Sequence, residues 1–327
     1  MISTTPSRRI PLALVLLTML VPFLAAESLP ASISDHEIVT EKAVLPGAPL
    51  VISFHTEYSN ELTASLLDGA DRVSISVRGI VLPRSQALPG YPADPDMHTW
   101  IFFLPIPNTL DPGLYTVRLM PSSTEEPWEE RRVIRVGQRE FLSEEIPLTK
   151  DLTAVRSGNP ERRSEEALAL QSILLQADED AWYHTGLLVY PLDSIRRTSY
   201  YGDRRNYRYD DGSSARSIHI GVDYGGPRGT PVRASGNGRV VFTGYRQVTG
   251  NTVVVEHLPG VFTLYFHLDE LRVEQAEVVE QGEILGTLGA TGLATGPHLH
   301  WELRFGTEAL DPEYFSRTPL LDPKFSF

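Results

Sequence analysis

Five residues in the C-terminal third have the types and spacing to do chemistry together. They are His219 and Asp223 in His-Ile-Gly-Val-Asp, His267 in Leu-Tyr-Phe-His-Leu, and His298 with His300 in Thr-Gly-Pro-His-Leu-His. Imidazole and carboxylate are the donors a zinc ion takes when it must keep one coordination position open for water. Singly, each histidine is most simply a hydrogen-bonded core or surface residue; as a set they point to metal-dependent hydrolysis. The 327 residues include no cysteine, which excludes disulfides, thiolate ligands and a lipidated cysteine, so a metal must sit on nitrogen and oxygen.

Strand parity predicts how these groups meet. Side chains two apart on a strand share a face, so His298, His300 and Glu302 oppose Leu299, Trp301 and Leu303. The same rule sets Thr263, Tyr265 and His267 against Leu264, Phe266 and Leu268, and His219 and Asp223 against Ile218, Ile220 and Val222. A spacing of four also suits a helix, but Ile218-His219-Ile220-Gly221-Val222 is β-branched and contains glycine, which favours a strand. Glu302, on the site face, is a candidate to support a ligand from behind. His257 follows an apolar strand and reads as structural.

The elements that must hold these residues are mostly β. From about residue 190 the pattern is short apolar or alternating segments, at 238–242, 252–256, 262–267 and 298–303, with glycine-rich turns between them. This reads as an antiparallel β domain over 190–316, followed by a tail at 317–327. Gly225-Gly226-Pro227-Arg228-Gly229 lacks the Lys-Ser/Thr ending of a phosphate loop and is a turn. The polar stretch 204–217 is either a cleft wall or a solvated loop.

Upstream, residues 30–137 show alternating strands, as in 72–77, 100–103 and 115–119, and predict a β-sandwich. Asp111-Pro112-Gly113-Leu114-Tyr115 resembles the tyrosine corner of immunoglobulin-like sandwiches, with Val117 where cysteine is common. A connector, 138–189, carries one helix at about 160–178, capped by Asn159 and started by Pro160, with Ala167, Leu170, Ile173, Leu174 and Ala177 on one stripe. That stripe is expected to dock on a neighbouring domain rather than to cover the cleft.

Arg8-Arg9, the apolar run 10–26 and the small residues at its end predict a secretory signal over 1–26 and export to the periplasm or envelope. Pro11 and Pro22 interrupt the run, which is short for a membrane span. A formal charge of -13 argues against nucleic acid or an anionic membrane as partner, although Arg204, Arg205 and Arg208 could form a local basic patch.

From Tyr200 to about Phe315 the chain closely resembles the lysostaphin-type or LytM-type zinc endopeptidases that cut bacterial peptidoglycan. The resemblance rests on Tyr201-Gly202-Asp203-Arg204, the His219/Asp223 pair, Gly229-Thr230-Pro231-Val232 and Gly238-Arg239-Val240-Val241. It continues in Gly250-Asn251-Thr252-Val253, Tyr265-Phe266-His267-Leu268, Gln281-Gly282 and Thr295 through His300. It implies His219, Asp223 and His300 as zinc ligands, with His267 and His298 as catalytic histidines beside the metal. Tyr201 stands where phenylalanine is common and Phe266 where serine is common; neither is a ligand position.

The resemblance also implies the substrate, the peptide stems of peptidoglycan. A bond to a D-amino acid is expected, because nothing resembles the wall-targeting domain of glycine-bridge cutters. The N-terminal sandwich would then position the enzyme or bind an envelope partner. The competing reading is a non-catalytic envelope scaffold or activator of another wall hydrolase, since hairpins such as 279–282 also occur in carrier-type β folds.

Overall fold

The computed structural model describes residues 43–84, 96–123 and 128–321. The expected signal, 1–26, and the end of the tail, 322–327, lie outside the described residues. Among the described residues, seven strands make the N-terminal part: β1 Pro49–Thr56, β2 Leu62–Leu67, β3 Val73–Arg78, β4 Ile80–Val81, β5 His98–Pro105, β6 Gly113–Pro121 and β7 Glu130–Val136. They form two antiparallel sheets, ordered β1-β5-β4 and β3-β2-β6-β7. Alternate residues of each, including Ile52, Leu66, Phe102, Val117 and Ile134, meet in one core. Tyr115 Oη donates to the Asp111 carbonyl at 2.9 Å, the hydrogen bond that a tyrosine corner requires.

β5 is apolar on both faces because both are covered. Trp100, Phe102 and Leu104 fill the sandwich. Ile101 and Phe103 instead join Leu303, Phe305, Leu310 and Phe315 of the C-terminal domain. Phe103 meets Phe305 edge-on at 4.9 Å, and Leu320 and Leu321 of the expected tail fill the same core. The described residues accordingly form a single compact unit.

The connector holds more than the expected helix. β8, Ser143–Pro147, and α1, Lys150–Ser157, precede α2, Pro160–Leu175. Asn159 caps α2 by accepting from the Arg162 amide, and Pro160 starts it, as its sequence predicts. Of the predicted stripe, Leu170, Ile173 and Leu174 face inward while Ala167 and Ala177 are exposed. Leu170 and Leu174 pack on Phe242, Val254 and Phe262, so the helix docks as expected.

The C-terminal part continues with β9 Arg197–Ser199, β10 Arg204–Arg208, β11 Ser214–Ile218, β12 Val222–Gly225, β13 Pro231–Arg233, β14 Gly238–Arg246 and β15 Gly250–Leu258. It is completed by β16 Val261–Leu271, β17 Val278–Val279, β18 Ile284–Leu288, β19 His298–Phe305 and β20 Glu308–Leu310. The large sheet runs β17-β14-β15-β16-β19-β12-β9, all antiparallel. A second, three-stranded sheet, β11-β10-β8, takes its third strand from the connector, in parallel with β10. The fold is mostly β throughout. Among the described residues, no helix is long and apolar enough to cross a membrane.

Candidate metal centre

β12 and β19 are the floor of the site. Their register sets Asp223 opposite His300 and Val222 opposite Trp301. Leu299 and Trp301 fill the core beneath, which turns His298, His300 and Glu302 to the other face, as parity predicts.

His219 departs from the expected continuous strand. β11 ends at Ile218 and β12 begins only at Val222, so His219 and Asp223 sit either side of a break. Gly221 makes that break fit. A Cβ there would lie 2.6 Å from the Trp301 carbonyl oxygen and 2.7 Å from His300 Nε2.

His267 departs from parity. Tyr265 and Leu268 both enter the core under the sheet, although they were expected on opposite faces, while Phe266 lies on the other side. The reason is a β-bulge. Asn251 to Val253 on β15 spans two residues, whereas Leu268 to Tyr265 on β16 spans three. The extra residue is absorbed at His267, whose φ of 61° is left-handed. The twist re-aims its ring toward His298, at 4.7 Å between centroids, and His300, at 6.2 Å.

Three donor atoms then converge. His219 Nε2 is 2.9 Å from His300 Nδ1 and 3.1 Å from Asp223 Oδ1, and His300 Nδ1 is 2.7 Å from that same oxygen. Ligand atoms of these three buried residues all lie within 4.8 Å of one another. Two imidazole nitrogens and a carboxylate oxygen so close together are a donor set that suits zinc.

Each group is held from behind. His219 Nδ1 donates to the Tyr200 carbonyl at 2.7 Å, which leaves Nε2 as the lone-pair donor. His300 uses Nε2 toward Glu302 at 2.9 Å, freeing Nδ1, and Glu302 is braced by Arg304 at 2.7 Å. The Phe266 ring stacks on His300 at 5.3 Å, tilted only 4°. Asp223 Oδ2 accepts from Arg205 at 2.5 Å, and Arg205 reaches Glu144 of the connector at 3.3 Å. Glu302 therefore takes the supporting position that its strand face suggests. Tyr200, Arg205 and Glu144 carry no local signal, because their partners lie on other elements.

His267 and His298 share one arrangement. Each directs Nδ1 at a backbone carbonyl, of Thr291 and Gly296 respectively, both at 2.8 Å, so each can present Nε2 to the cleft. His298 Nε2 is 3.9 Å from Asp223 Oδ1. His257 is buried between Asn237 and Thr263, away from the cleft, consistent with a structural role.

Burial and charge set the protonation states. Burial, with His298 and His300 nearby, pushes His267 down to about 3, so it is neutral at neutral pH. Burial also lowers His219. For Asp223 burial acts upward, but His219 and His300 hold it well below the usual carboxylate range. Burial acts against charge on His300, yet hydrogen bonds to Asp223 and Glu302 raise it to about 9 in the metal-free protein.

A metal held by His300 would, at pH 7, have to displace its proton. Zinc binding is expected to release about one proton, and affinity to rise about tenfold per pH unit up to about 9. Calorimetry in buffers of different ionisation enthalpy measures this, and a buffer-independent heat would contradict it.

The site floors a cleft of about 240 Å³. One wall is the small sheet, where Arg205 and Tyr207 align with Glu144 and Ile146 on β8 and with Ser217 and Ala215 on β11. The stretch 204–217 is thus a cleft wall. The connector, expected only to dock, also lines the cleft through Ile146, Leu148 and Arg156. The basic patch left open for these arginines does not form: Arg204 donates to the Gly202 and Asn108 carbonyls, Arg205 is committed as above, and Arg208 pairs with Glu145.

Residues 217–312 match the profile of Peptidase family M23. The chain is 40% identical over 127 residues to a DD-carboxypeptidase/endopeptidase, Mpg, of Neisseria meningitidis, covering 39% of this chain and 28% of that protein. It is 43% identical over 112 residues to the peptidoglycan DD-endopeptidase ShyC of Vibrio cholerae, covering 34% and 25%. The match thus spans about a quarter of these relatives' length. A Pseudomonas aeruginosa crystal structure assigned to peptidase M23 shares the fold, with a TM-score of 0.55 at 21% identity over 83% of this chain and 94% of that one.

Proposed function

We propose that the chain, whose residues 217–312 match the profile of Peptidase family M23, is a zinc-dependent endopeptidase hydrolysing peptide crosslinks of bacterial peptidoglycan. The observation that carries this is the convergence of His219, Asp223 and His300, with His267 and His298 alongside in an open cleft. A complete set of ligands and proton carriers favours catalysis over the scaffold reading. The relatives' names as DD-endopeptidases support a bond to a D-amino acid. They also support action in the cell envelope, in keeping with an export signal at 1–26.

In this reading His219 and His300 supply nitrogen and Asp223 supplies oxygen to the metal. A zinc ion held by these three residues would supply Lewis acidity, polarising the scissile carbonyl and lowering the pKa of water toward about 7. The protein's own groups do the rest. His267, neutral and fixed by the Thr291 carbonyl, offers Nε2 as a hydrogen-bond acceptor to the attacking water. His298, fixed by the Gly296 carbonyl, offers Nε2 to the cleft it lines. Between them they take a proton as the water oxygen bonds to the carbonyl carbon, and return it to the amine as the carbon–nitrogen bond breaks. Residues 30–137 act as a positioning module and 190–316 as the peptidase.

Purified sacculi incubated with the zinc-loaded chain are expected to lose crosslinked muropeptides and gain their uncrosslinked halves, resolved by mass spectrometry. His298→Ala should abolish this while retaining zinc. Activity equal to wild type in that variant would remove His298 from the mechanism, and a zinc-loaded wild-type chain that leaves the crosslinks intact would return the chain to the scaffold class.

A further inference from the structure

The cleft contains a cation that the reaction chemistry above does not use. Two arginines line it, Arg156 and Arg205. Arg205 is neutralised by Asp223 at 2.5 Å and by Glu144 at 3.3 Å. Arg156, on connector helix α1, lays its guanidinium carbon 3.8 Å from the centre of the Tyr207 ring and donates Nε to Tyr209 Oη at 3.2 Å. Among the described residues no carboxylate lies within 4.0 Å of it, and its four terminal N–H groups have no protein acceptor.

Its position relative to the metal ligands follows from strand spacing. Arg205 and Tyr207 are two apart on β10 and share the face toward the cleft. Arg205 touches the metal-site carboxylate and Tyr207 carries Arg156. Two residues of strand span about 7 Å. A peptide lying extended with its scissile carbonyl at the metal centre therefore reaches Arg156 with a group one or two residues away.

We propose that Arg156 is a specificity-determining residue that binds a free carboxylate of the peptide substrate close to the scissile bond. This rests on the peptidase reading above. A guanidinium fork meets a carboxylate through two parallel hydrogen bonds, and stacking on Tyr207 holds the fork in one plane before substrate arrives. The chain as a whole carries a net charge of -13 and repels anionic peptides, so a local uncompensated cation is what admits one. The connector, by supplying both β8 and Arg156, then contributes substrate selection as well as a wall.

The test uses the full zinc-loaded chain and two probes, N-acetyl-D-alanyl-D-alanine and its C-terminal carboxamide, with binding by calorimetry and hydrolysis by amine release. Wild type is expected to favour the carboxylate at least about tenfold in Kd and KM. Arg156→Gln should collapse that preference through KM rather than kcat, Arg156→Lys should restore part of it, and zinc content should not change. A wild type without preference, or an Arg156→Gln variant that weakens both probes equally, overturns the proposal. If wild type binds the carboxylate selectively but hydrolyses neither probe nor sacculi, the peptidase reading fails and the carboxylate site stands.

Discussion

His300→Ala is expected to leave a folded protein that neither holds zinc nor cuts sacculi. His300 Nδ1 lies within 3 Å of both other donors, 2.9 Å from His219 Nε2 and 2.7 Å from Asp223 Oδ1, so its loss leaves two ligand atoms and an Asp223 carboxylate short of a partner. Two ligands are too few for a stable site of this kind. A graded companion is Glu302→Gln, which keeps the shape but removes the charge that braces His300 Nε2. Outer partners of this type affect metal affinity about 10–100-fold. Zinc competition with a chromophoric chelator, beside sacculus digestion, separates the two variants. Wild-type zinc affinity in His300→Ala would refute the assignment of the ligand.

The second large effect is expected from the smallest change, Gly221→Ala. The added methyl would stand 2.6 Å from the Trp301 carbonyl oxygen, 2.7 Å from His300 Nε2 and 2.9 Å from Glu302 Cγ. The carbonyl belongs to a paired strand and cannot retreat cheaply, so the strain falls on the His300–Glu302 pair. Overpacking of this sort costs about 1–3 kcal/mol of stability. Zinc affinity should fall about tenfold or more, because the displaced bond is the one that orients His300. Thermal unfolding of the metal-free protein reads the first effect and chelator competition the second. A variant that loses stability but keeps zinc affinity would show that Gly221 serves only the fold.

Much of this site is legible from local pattern alone. The strand at 298–303 has one apolar and one polar face, and period-two alternation is a property of the backbone, so His298, His300 and Glu302 fall together as soon as the strand is recognised. The cap of α2 is equally local, since Asn159 and Pro160 act on the turn they adjoin. Where parity fails, the cause is not local. At His267 the strand leaves β19 and continues against β18, and the bulge that allows this is set by β15 across the sheet. Gly221 reads as a strand weakness until Trp301 is seen pressed against it.

The sequence by itself determined the donor types, the absence of thiolate, the β character and the residues that would gather, because side-chain chemistry and strand periodicity reside in short segments. Only the tertiary structure decided which nitrogen of each histidine faces the other donors, since that depends on what lies behind the ring: the Tyr200 carbonyl for His219, Glu302 for His300. It alone decided that Arg205 answers Asp223 and that a connector strand and helix complete the cleft wall. Partners of this kind come from segments far apart in the chain, and their meeting is a consequence of how sheets pack rather than of any local pattern.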